Sequence, residues 1–424
     1  MLGTALLLLV ALLAVSVPVA AVMGVLGLAL NQFFSSIPLY LAMGDIVWNA
    51  SSEYILIAIP MFVMLGEILL RSGIAHRVYA AIATWLSWLP GGLMHANIGT
   101  CAMFAATSGS SVATAATVGV VALPQVKIRR YDEPLFLGTL AAGGTLGILI
   151  PPSINFILYG LLTQTSVPRL YLAGMIPGLL LTSLFMAIIL LYCLIWPAKG
   201  GTRVESSWRE RLGSLKDLVA PLFIFGVVVG SIYAGWATPT ESAALGVIGA
   251  LVLAAAHRAL TLDMLKLATE STIRVTGMAM LVLLAAFFLS FVISILGINR
   301  DILAFVQGLE LTPLQLMIAI IAFYIVLGCF LDPLTMMVTT IPIVAPLVAS
   351  LGYDLIWFGI LIVVLCEMAL ITPPFGVNLF VVQAIRRRGM LTDVIIGAAP
   401  FALTLMALIV MLVIWPPLAM FGQN

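Results

Sequence analysis

Apolar residues run through this chain in stretches near the twenty or so that a bilayer requires, and the polar positions that interrupt them come in pairs. The candidate spans are 4–30, 54–70, 134–163, 170–196, 217–236, 240–257, 270–296, 355–385 and 392–418, nine crossings in all. Segments 134–163 and 355–385 are overlong and carry Pro151-Pro152 and Pro373-Pro374, so each is expected to be a helix broken near its middle. Segments 92–126 and 313–350 read as helix, break, helix. They are expected to be re-entrant hairpins with Ser108 to Ser111 and Asp332 to Thr335 at their tips. Val78 to Leu89 is too short to cross and fits an interfacial helix; Ile298 to Glu310 holds the matching place in the second half.

One offset relates the interruptions. Pro373 and Pro151, Pro346 and Pro124, and Asp332 and Ser110 all stand 222 positions apart. Broken helices in corresponding places of two halves point to a transport site near the midplane, because irregular backbone at that depth is tolerated only under protein or beside a watery cavity. Charge gives an independent layout, since cytoplasmic loops collect Lys and Arg. With the N-terminus inside, fifteen basic residues fall in inside loops, among them Lys127, Arg129, Arg130, Lys199 and Arg386 to Arg388; outside loops hold Arg169 and Arg300. The first hairpin ends in Lys127-Ile-Arg-Arg130 and its partner in Ser350-Leu-Gly-Tyr-Asp354, which has no base. The hairpins are therefore expected to enter from opposite faces, with the N-terminus cytoplasmic and the C-terminus periplasmic. Ala198 to Leu215, the longest polar connection, is expected to join the two repeats on the cytoplasmic side.

Composition narrows the class. The chain is 63% apolar and only 8% charged, whereas soluble domains carry about 25% charged residues. The expected fold is an all-α polytopic membrane protein with an inverted repeat, two re-entrant helical hairpins and two broken transmembrane helices. A net charge of +1 and the lack of a basic patch argue against nucleic-acid binding. Cys101, Cys193, Cys329 and Cys366 stand singly, without zinc or redox spacing, and read as packing residues. His76, His95 and His257 have no mutual spacing for a metal and are expected to be solvated near the interfaces. An intramembrane protease needs a Ser/His dyad, paired aspartates or a His-Glu-x-x-His run, none of which stands out, and a channel has no need of two matched dead-end tips. Neither class fits, so no transition metal and no enzyme are expected.

The interruptions carry oxygen chemistry suited to sodium, which in a membrane must exchange its water shell for several oxygens; broken helices supply freed carbonyls and Ser or Thr hydroxyls. The first candidate cation site takes Ser108, Ser110 and Ser111 with Gly147 and the carbonyls of Ile150 and Pro151. The second takes Gly328, Asp332, Thr335 and Thr372. Gly109, Pro152, Asn155, Pro374 and Asn378 are placed near the substrate, the two amides being able to bond freed carbonyls or ligand. An ionised carboxylate at mid-bilayer costs at least about 3 kcal/mol, which weighs Asp332 toward cation binding over a plain helix cap. Glu241, after Pro239-Thr240, reads as a cap; Glu67 is open between the two roles. The plain alternative for the small residues is close helix packing. No Lys or Arg lies in either hairpin or near a double proline, so an anionic substrate would be met by helix N-termini and by the bound cations, making the two binding events mutually dependent.

These residues resemble a known family, the DctM-like large membrane subunit of tripartite ATP-independent periplasmic (TRAP) transporters, nearly end to end. The resemblance is carried by Ile59-Pro-Met-Phe-Val-Met-Leu-Gly-Glu67 with Arg71-Ser-Gly-Ile74, Pro90-Gly-Gly92, Ser108-Gly-Ser-Ser-Val112, Tyr131-Asp132, Ile150-Pro-Pro-Ser153, Tyr171-Leu-Ala-Gly-Met-Ile-Pro-Gly178, Pro239-Thr-Glu241, Phe330-Leu-Asp332 and Ile371-Thr-Pro-Pro-Phe-Gly-Val-Asn378. It implies sodium-driven import of an organic anion, a C4-dicarboxylate, sialic acid or related sugar or keto acid, across the bacterial inner membrane by an elevator movement. It implies two partners, a periplasmic substrate-binding protein and a small membrane subunit of about four helices, expected as a separate chain. Scaffold segments are expected at 1–90, 166–310 and 389–424, and transport-domain halves at 91–165 and 311–388. Thr114 stands where the family commonly has an acid, which bears on the sodium stoichiometry. The competing reading is a stand-alone ion-coupled dicarboxylate carrier without a binding protein.

Overall fold

The computed structural model describes residues 2–15, 17–202 and 206–420, with the side chains of 2, 6, 10, 13, 14, 106–108 and 307 outside that description. Within those residues the chain is helical, and its single isolated β-bridge joins Tyr131 to Gly200. The helices are α1 Leu2–Ala14, α2 Val19–Phe34, α3 Met43–Ser51, α4 Ala58–Arg71, α5 Ile74–Leu86, α6 Leu93–Ser108, α7 Ser111–Ile128, α8 Glu133–Thr145, α9 Ile154–Thr163 and α10 Val167–Ile195. They continue with α11 Trp208–Tyr233, α12 Pro239–Ala256, α13 Leu262–Ile295, α14 Ile298–Gln307, α15 Pro313–Gly328, α16 Pro333–Ser350, α17 Leu355–Ile371, α18 Val377–Arg386, α19 Leu391–Ile414 and α20 Pro417–Met420. Among the described residues eight helices, counting from the 3-10 turn before α4, are long and apolar enough to cross a membrane by length and composition; α7 and α16 are two of them.

The expected broken helices and hairpins are present as helix, break, helix. α6 and α15 have 16 residues each, α7 and α16 have 18 each, and α9 and α18 have 10 each. The punctuation repeats as well. Asp132 and Asp354 cap α8 and α17, 222 positions apart, and left-handed Gly73 and Gly297 precede α5 and α14. Glycine is the residue that takes a positive φ without a Cβ clash, so the same turn launches both short arm helices.

Three expectations change. The single helix expected over 4–30 is two, α1 and α2, because Pro18 cannot donate to the carbonyl four residues back and its ring crowds that turn. The polar connection to Leu215 is shorter than expected: α11 begins at Trp208, set by a capping box between Ser207 and Glu210. His95 is buried rather than solvated, its Nε2 2.9 Å from the Pro90 carbonyl oxygen. His257 meets Arg77 at 3.1 Å.

The core is built on the first halves of the two broken helices. α17 is buried from Ile356 through Ile371 and α8 from Leu135 through Thr145, so each is enclosed on every side. Small residues bring α8 against α19: a Cβ on Gly138 would stand 1.9 Å from the Gly397 carbonyl oxygen, and one on Gly397 1.7 Å from that of Pro134. Such backbone approach is the device by which helices pack where lipid offers no hydrophobic drive. A second group packs beside this core, with α12 on α4 and α11, and α13 on α2 and α4. The connection after α10 is tied to the α7–α8 turn, where Thr202 donates to the Arg129 carbonyl at 2.8 Å and Asp132 to that of Lys199 at 3.2 Å.

Candidate functional site

Each hairpin turns at a side-chain N-cap. In the first, Gly109 takes a left-handed conformation (φ 58°) to end α6, and the Ser110 hydroxyl accepts from the Ala113 amide at 3.4 Å to start α7. In the second, Asp332 starts α16: one carboxylate oxygen accepts from the Thr335 amide at 3.2 Å and the other from the Thr335 hydroxyl at 2.5 Å. Capping aims the free amides of the first helical turn at one point and adds the positive end of the helix dipole. The cap weighed against cation binding for Asp332 is thus realised. It does not exhaust the residue, since an ionised carboxylate offers about four lone-pair directions. Thr335 is buried and donates its proton to Asp332, so its oxygen stays available as an acceptor.

The first tip is seated on the first break. Gly147 lies in a 3-10 turn after α8, and a Cβ there would stand 2.9 Å from the Ser110 carbonyl carbon and the Ser111 nitrogen. A Cβ on Gly109 would meet the Pro152 carbonyl oxygen at 3.1 Å. Ser111 is buried and its hydroxyl donates to the Thr145 carbonyl at 3.4 Å. Ile150, Pro151 and Pro152 are buried, and the Pro151–Pro152 bond is cis, as is Pro373–Pro374. The Ser153 hydroxyl donates to the Ile148 carbonyl at 2.5 Å, taking over an acceptor that Pro152 cannot serve.

The second tip rests on α17 in the same manner. A Cβ on Gly328 would stand 2.7 Å from that of Ala369, and the Cys366 thiol lies 3.8 Å from the Pro333 carbonyl. Thr372 ends α17 in an extended conformation, its hydroxyl donating to the Met368 carbonyl at 2.6 Å. The halves then cross: α18 lies against α7 and α8, and α9 against α16. Asn378 is the link, fully buried, with its amide donating to the Ala141 carbonyl of the other half at 3.0 Å. Its Nδ2 is also 3.0 Å from where a Cβ on Gly144 would be, and that same position is 3.1 Å from the Ser111 carbonyl oxygen. The structure therefore brings together Ser110, Ser111, Gly147, Pro152 and Asn378. It places Asp332, Thr335 and Gly328 at a second tip on α17, with Pro374 and Thr372 at the break below. The Ser108 side chain lies outside the described residues.

Four buried side-chain amide atoms have no hydrogen-bond partner among the described residues, on Asn155, Asn299, Asn378 and Gln383; the two beside the breaks are Asn155 Nδ2, a donor, and Asn378 Oδ1, an acceptor. A buried polar atom left unmatched costs about 1–3 kcal/mol, and both amides follow a double proline.

Sequence reasoning missed Glu367. It sits inside α17, is fully buried, and neither carboxylate oxygen has a partner among the described residues. The signal was legible, as the one acid in an otherwise apolar run from Leu355 to Ile371. Glu67 and Glu241, by contrast, are accounted for. Glu67 bridges Arg71 at 2.9 Å and the Ser271 hydroxyl at 2.6 Å, and Glu241 closes a capping box with Thr238.

Comparison with known proteins supplies the wider frame. Residues 6–418 match the family described as "Tripartite ATP-independent periplasmic transporter, DctM component". The chain is 32% identical to the ectoine/5-hydroxyectoine TRAP transporter large permease protein UehC of Ruegeria pomeroyi, over 87% of this chain and 86% of that one. It is 33% identical to the C4-dicarboxylate TRAP transporter large permease protein DctM of Pseudomonas aeruginosa, over 89% and 88%. Among solved structures, the YdaH transporter of Alcanivorax borkumensis, described as having an unusual topology, aligns with a TM-score of 0.62 over 89% of this chain and 88% of that one, at 14% identity. That likeness concerns the fold alone.

Proposed function

This chain belongs to the DctM family of tripartite ATP-independent periplasmic transporters, as a large permease subunit, a multi-pass membrane transporter and not an enzyme; from that premise we propose that it carries an organic anion inward across a bacterial inner membrane, driven by sodium. The observation that carries the reading is the pair of capped tips, Ser110 on the Gly147–Pro152 break and Asp332 on α17, repeated at one offset. Each presents hydroxyl or carboxylate oxygen beside carbonyls that proline or a helix end has released. Sodium at these oxygens, with the first-turn amides of α7 and α16, supplies the positive charge that an anion needs where no Lys or Arg reaches. A carboxylate, sulfonate or sugar acid would then be oriented by Asn155 and Asn378, whose unmatched atoms offer one donor and one acceptor.

In this reading the hairpins and broken helices move as one body against a scaffold. α19 travels with them, because its backbone is locked to α8 at Gly138 and Gly397, and so does α10, where Gly174 and Gly178 pack on Leu149 and Ile150. On this proposal α10 and α19 join the moving body instead of the scaffold segments 166–310 and 389–424, and α2, α4, α11, α12 and α13 would form the scaffold that a small four-helix subunit braces. A periplasmic binding protein would deliver the ligand. The basic ends of α7 and α18 face the cytoplasm by the distribution of Lys and Arg. Each sodium charge moved down the potential contributes about 2.3 kcal/mol per 100 mV, enough with one or two ions to concentrate an anion. Proteoliposomes holding this chain, its small subunit and its binding protein, tested with labelled succinate, N-acetylneuraminate and ectoine, should accumulate one of them only under an inward sodium gradient. Equal accumulation with sodium balanced across the membrane overturns the coupling, and transport without the binding protein favours the stand-alone carrier.

A further inference from the structure

Two cavities sit at corresponding places of the two halves. One, of about 690 Å³, lies between α7 and the end of α18; the other, of about 230 Å³, lies between α16 and the end of α9. They are repeat mates in residue position as well as in place. Pro124 of the first corresponds to Pro346 of the second at the 222 offset, and Arg387 to Gln164 at 223, each of the last two ending its helix in the left-handed conformation at φ 56° and 57°. The backbone frame is therefore the same, and what differs is chemistry.

At the positions where the first cavity has Lys127, Glu133, Arg386 and Arg387, the second has Ala349, Leu355, Thr163 and Gln164. Arg388 adds a fourth cation to the first, whereas among the described residues no charged one lines the second. Arg386 is spent on structure: its side chain is 6% exposed and bonds Glu133 at 2.9 Å and Asp393 at 2.8 Å, fastening the end of α18 to α8 and α19. Lys127 and Arg387 are exposed and have no ion-pair partner among the described residues. The scaffold treats the cavities differently too. Phe287 and Ser290 of α13 line the second, while α4, which precedes the first arm helix as α13 precedes the second, lends no residue to the first.

We infer that the first cavity is an anion-collecting vestibule on the basic face, seating a small carboxylate- or sulfonate-bearing molecule at Lys127 and Arg387, and that its mate has no such preference. Unpaired cations on a low-dielectric wall raise the local concentration of an opposite charge by roughly tenfold or more, and a guanidinium matches a carboxylate or sulfonate in two-point fashion. The vestibule is distinct from the tips: Val120, in its wall, stands about 14 Å along α7 from Ser111 at 1.5 Å per residue. The inference rests on the anion-carrier reading above for its biological use, but its electrostatics are measurable without any transport.

The test uses the full chain with its small subunit in proteoliposomes, carrying Cys329→Ser and keeping the three buried cysteines. A single reporter thiol is placed in either cavity, at Ala384→Cys or at Ala349→Cys, both exposed positions. Each is reacted with a sulfonate-bearing and with a trimethylammonium-bearing methanethiosulfonate. At 384 the anionic reagent should outpace the cationic one about tenfold at low salt, and Lys127→Gln with Arg387→Gln should cut that ratio at least threefold. At 349 the ratio should stay near one. Equal ratios at the two positions, or a ratio at 384 indifferent to removal of the two charges, overturns the inference. Slow labelling at 384 by both reagents that speeds up in vesicles without anionic lipid also overturns it, since a lipid headgroup would then be the occupant. Reporter reactivity as expected with no sodium-driven uptake would leave the vestibule standing and sink the carrier reading instead.

Discussion

Replacing Gly147 with alanine should weaken sodium coupling without unfolding the protein. The added Cβ would stand 2.9 Å from the Ser110 carbonyl carbon and the Ser111 nitrogen, and 3.0 Å from the Ser110 oxygen. All three are backbone atoms, so no side chain can rotate away. Restoring a contact near 3.5 Å requires the tip to retreat by roughly 0.5 Å. Overpacking of this kind costs about 1–3 kcal/mol, a few degrees of melting temperature at most in a chain this long. Function is more sensitive, since a misplacement of about 1 Å can lower a rate a hundredfold; half that shift should raise the half-saturating sodium concentration about tenfold. The control is Gly230→Ala on α11, where an added Cβ meets nothing within 4 Å. It should transport like the parent. Initial uptake by purified, monodisperse variants across a sodium series measures both. A folded Gly147→Ala variant with the parent's sodium dependence would refute the claim that this tip and this break form one site.

Three further outcomes follow from the same geometry. Asp332→Asn should keep the α16 cap, because asparagine caps helices as well as aspartate, yet lose sodium dependence; Asp332→Ala should lose both, with about 1 kcal/mol of stability, and unaltered sodium dependence in the Asn variant would reduce Asp332 to a cap. Glu367→Gln should melt at or above the parent's temperature, since a buried carboxylate without partners is costly, while uptake falls; full uptake would assign the residue no part in transport. Lys127 should be modified by a membrane-impermeant amine reagent only from the cytoplasmic face, and labelling from the opposite face would invert the topology.

Much of this architecture was legible because its signals are local and repeated. Double prolines, tip glycines and serines, and length-limited apolar runs each act within a few residues, and a shared offset made each half a check on the other. α7 and α16 fall where the sequence puts them for that reason. The reading failed where a single residue outweighed a long pattern, as Pro18 did in dividing 4–30, or where a polar signal lay beneath the average, as Glu367 does in α17. Contacts between the halves were not legible at all. Nothing in the spacing of Asn378 and Ala141, 237 positions apart, announces their hydrogen bond, because packing partners across a repeat are set by the twist and crossing of whole helices.

The two halves agree in backbone and disagree in chemistry, and the disagreement has a pattern. Ser110 faces the repeat position of Asp332, Thr145 that of Glu367, and Lys127 that of Ala349. In the proposed mechanism, matching backbone would let one set of helices pass between two inverted arrangements of similar energy, which alternating access demands. Matched chemistry would be redundant, because two identical sites would bind the same ion with the same affinity. On the proposed reading, divergent side chains would give the halves separate duties: a neutral hydroxyl tip on one break, an acidic tip and a buried acid in the other half, and a basic mouth at the first cavity. None of this sets the direction of net transport; under the proposed sodium coupling the gradient would fix it, since coupling between ligands is reciprocal at equilibrium. If the substrate is the proposed anion, the asymmetry sets how readily it is met and released at each face, and exchanging charge between the two mouths should then alter rates on one side while leaving the accumulation ratio unchanged.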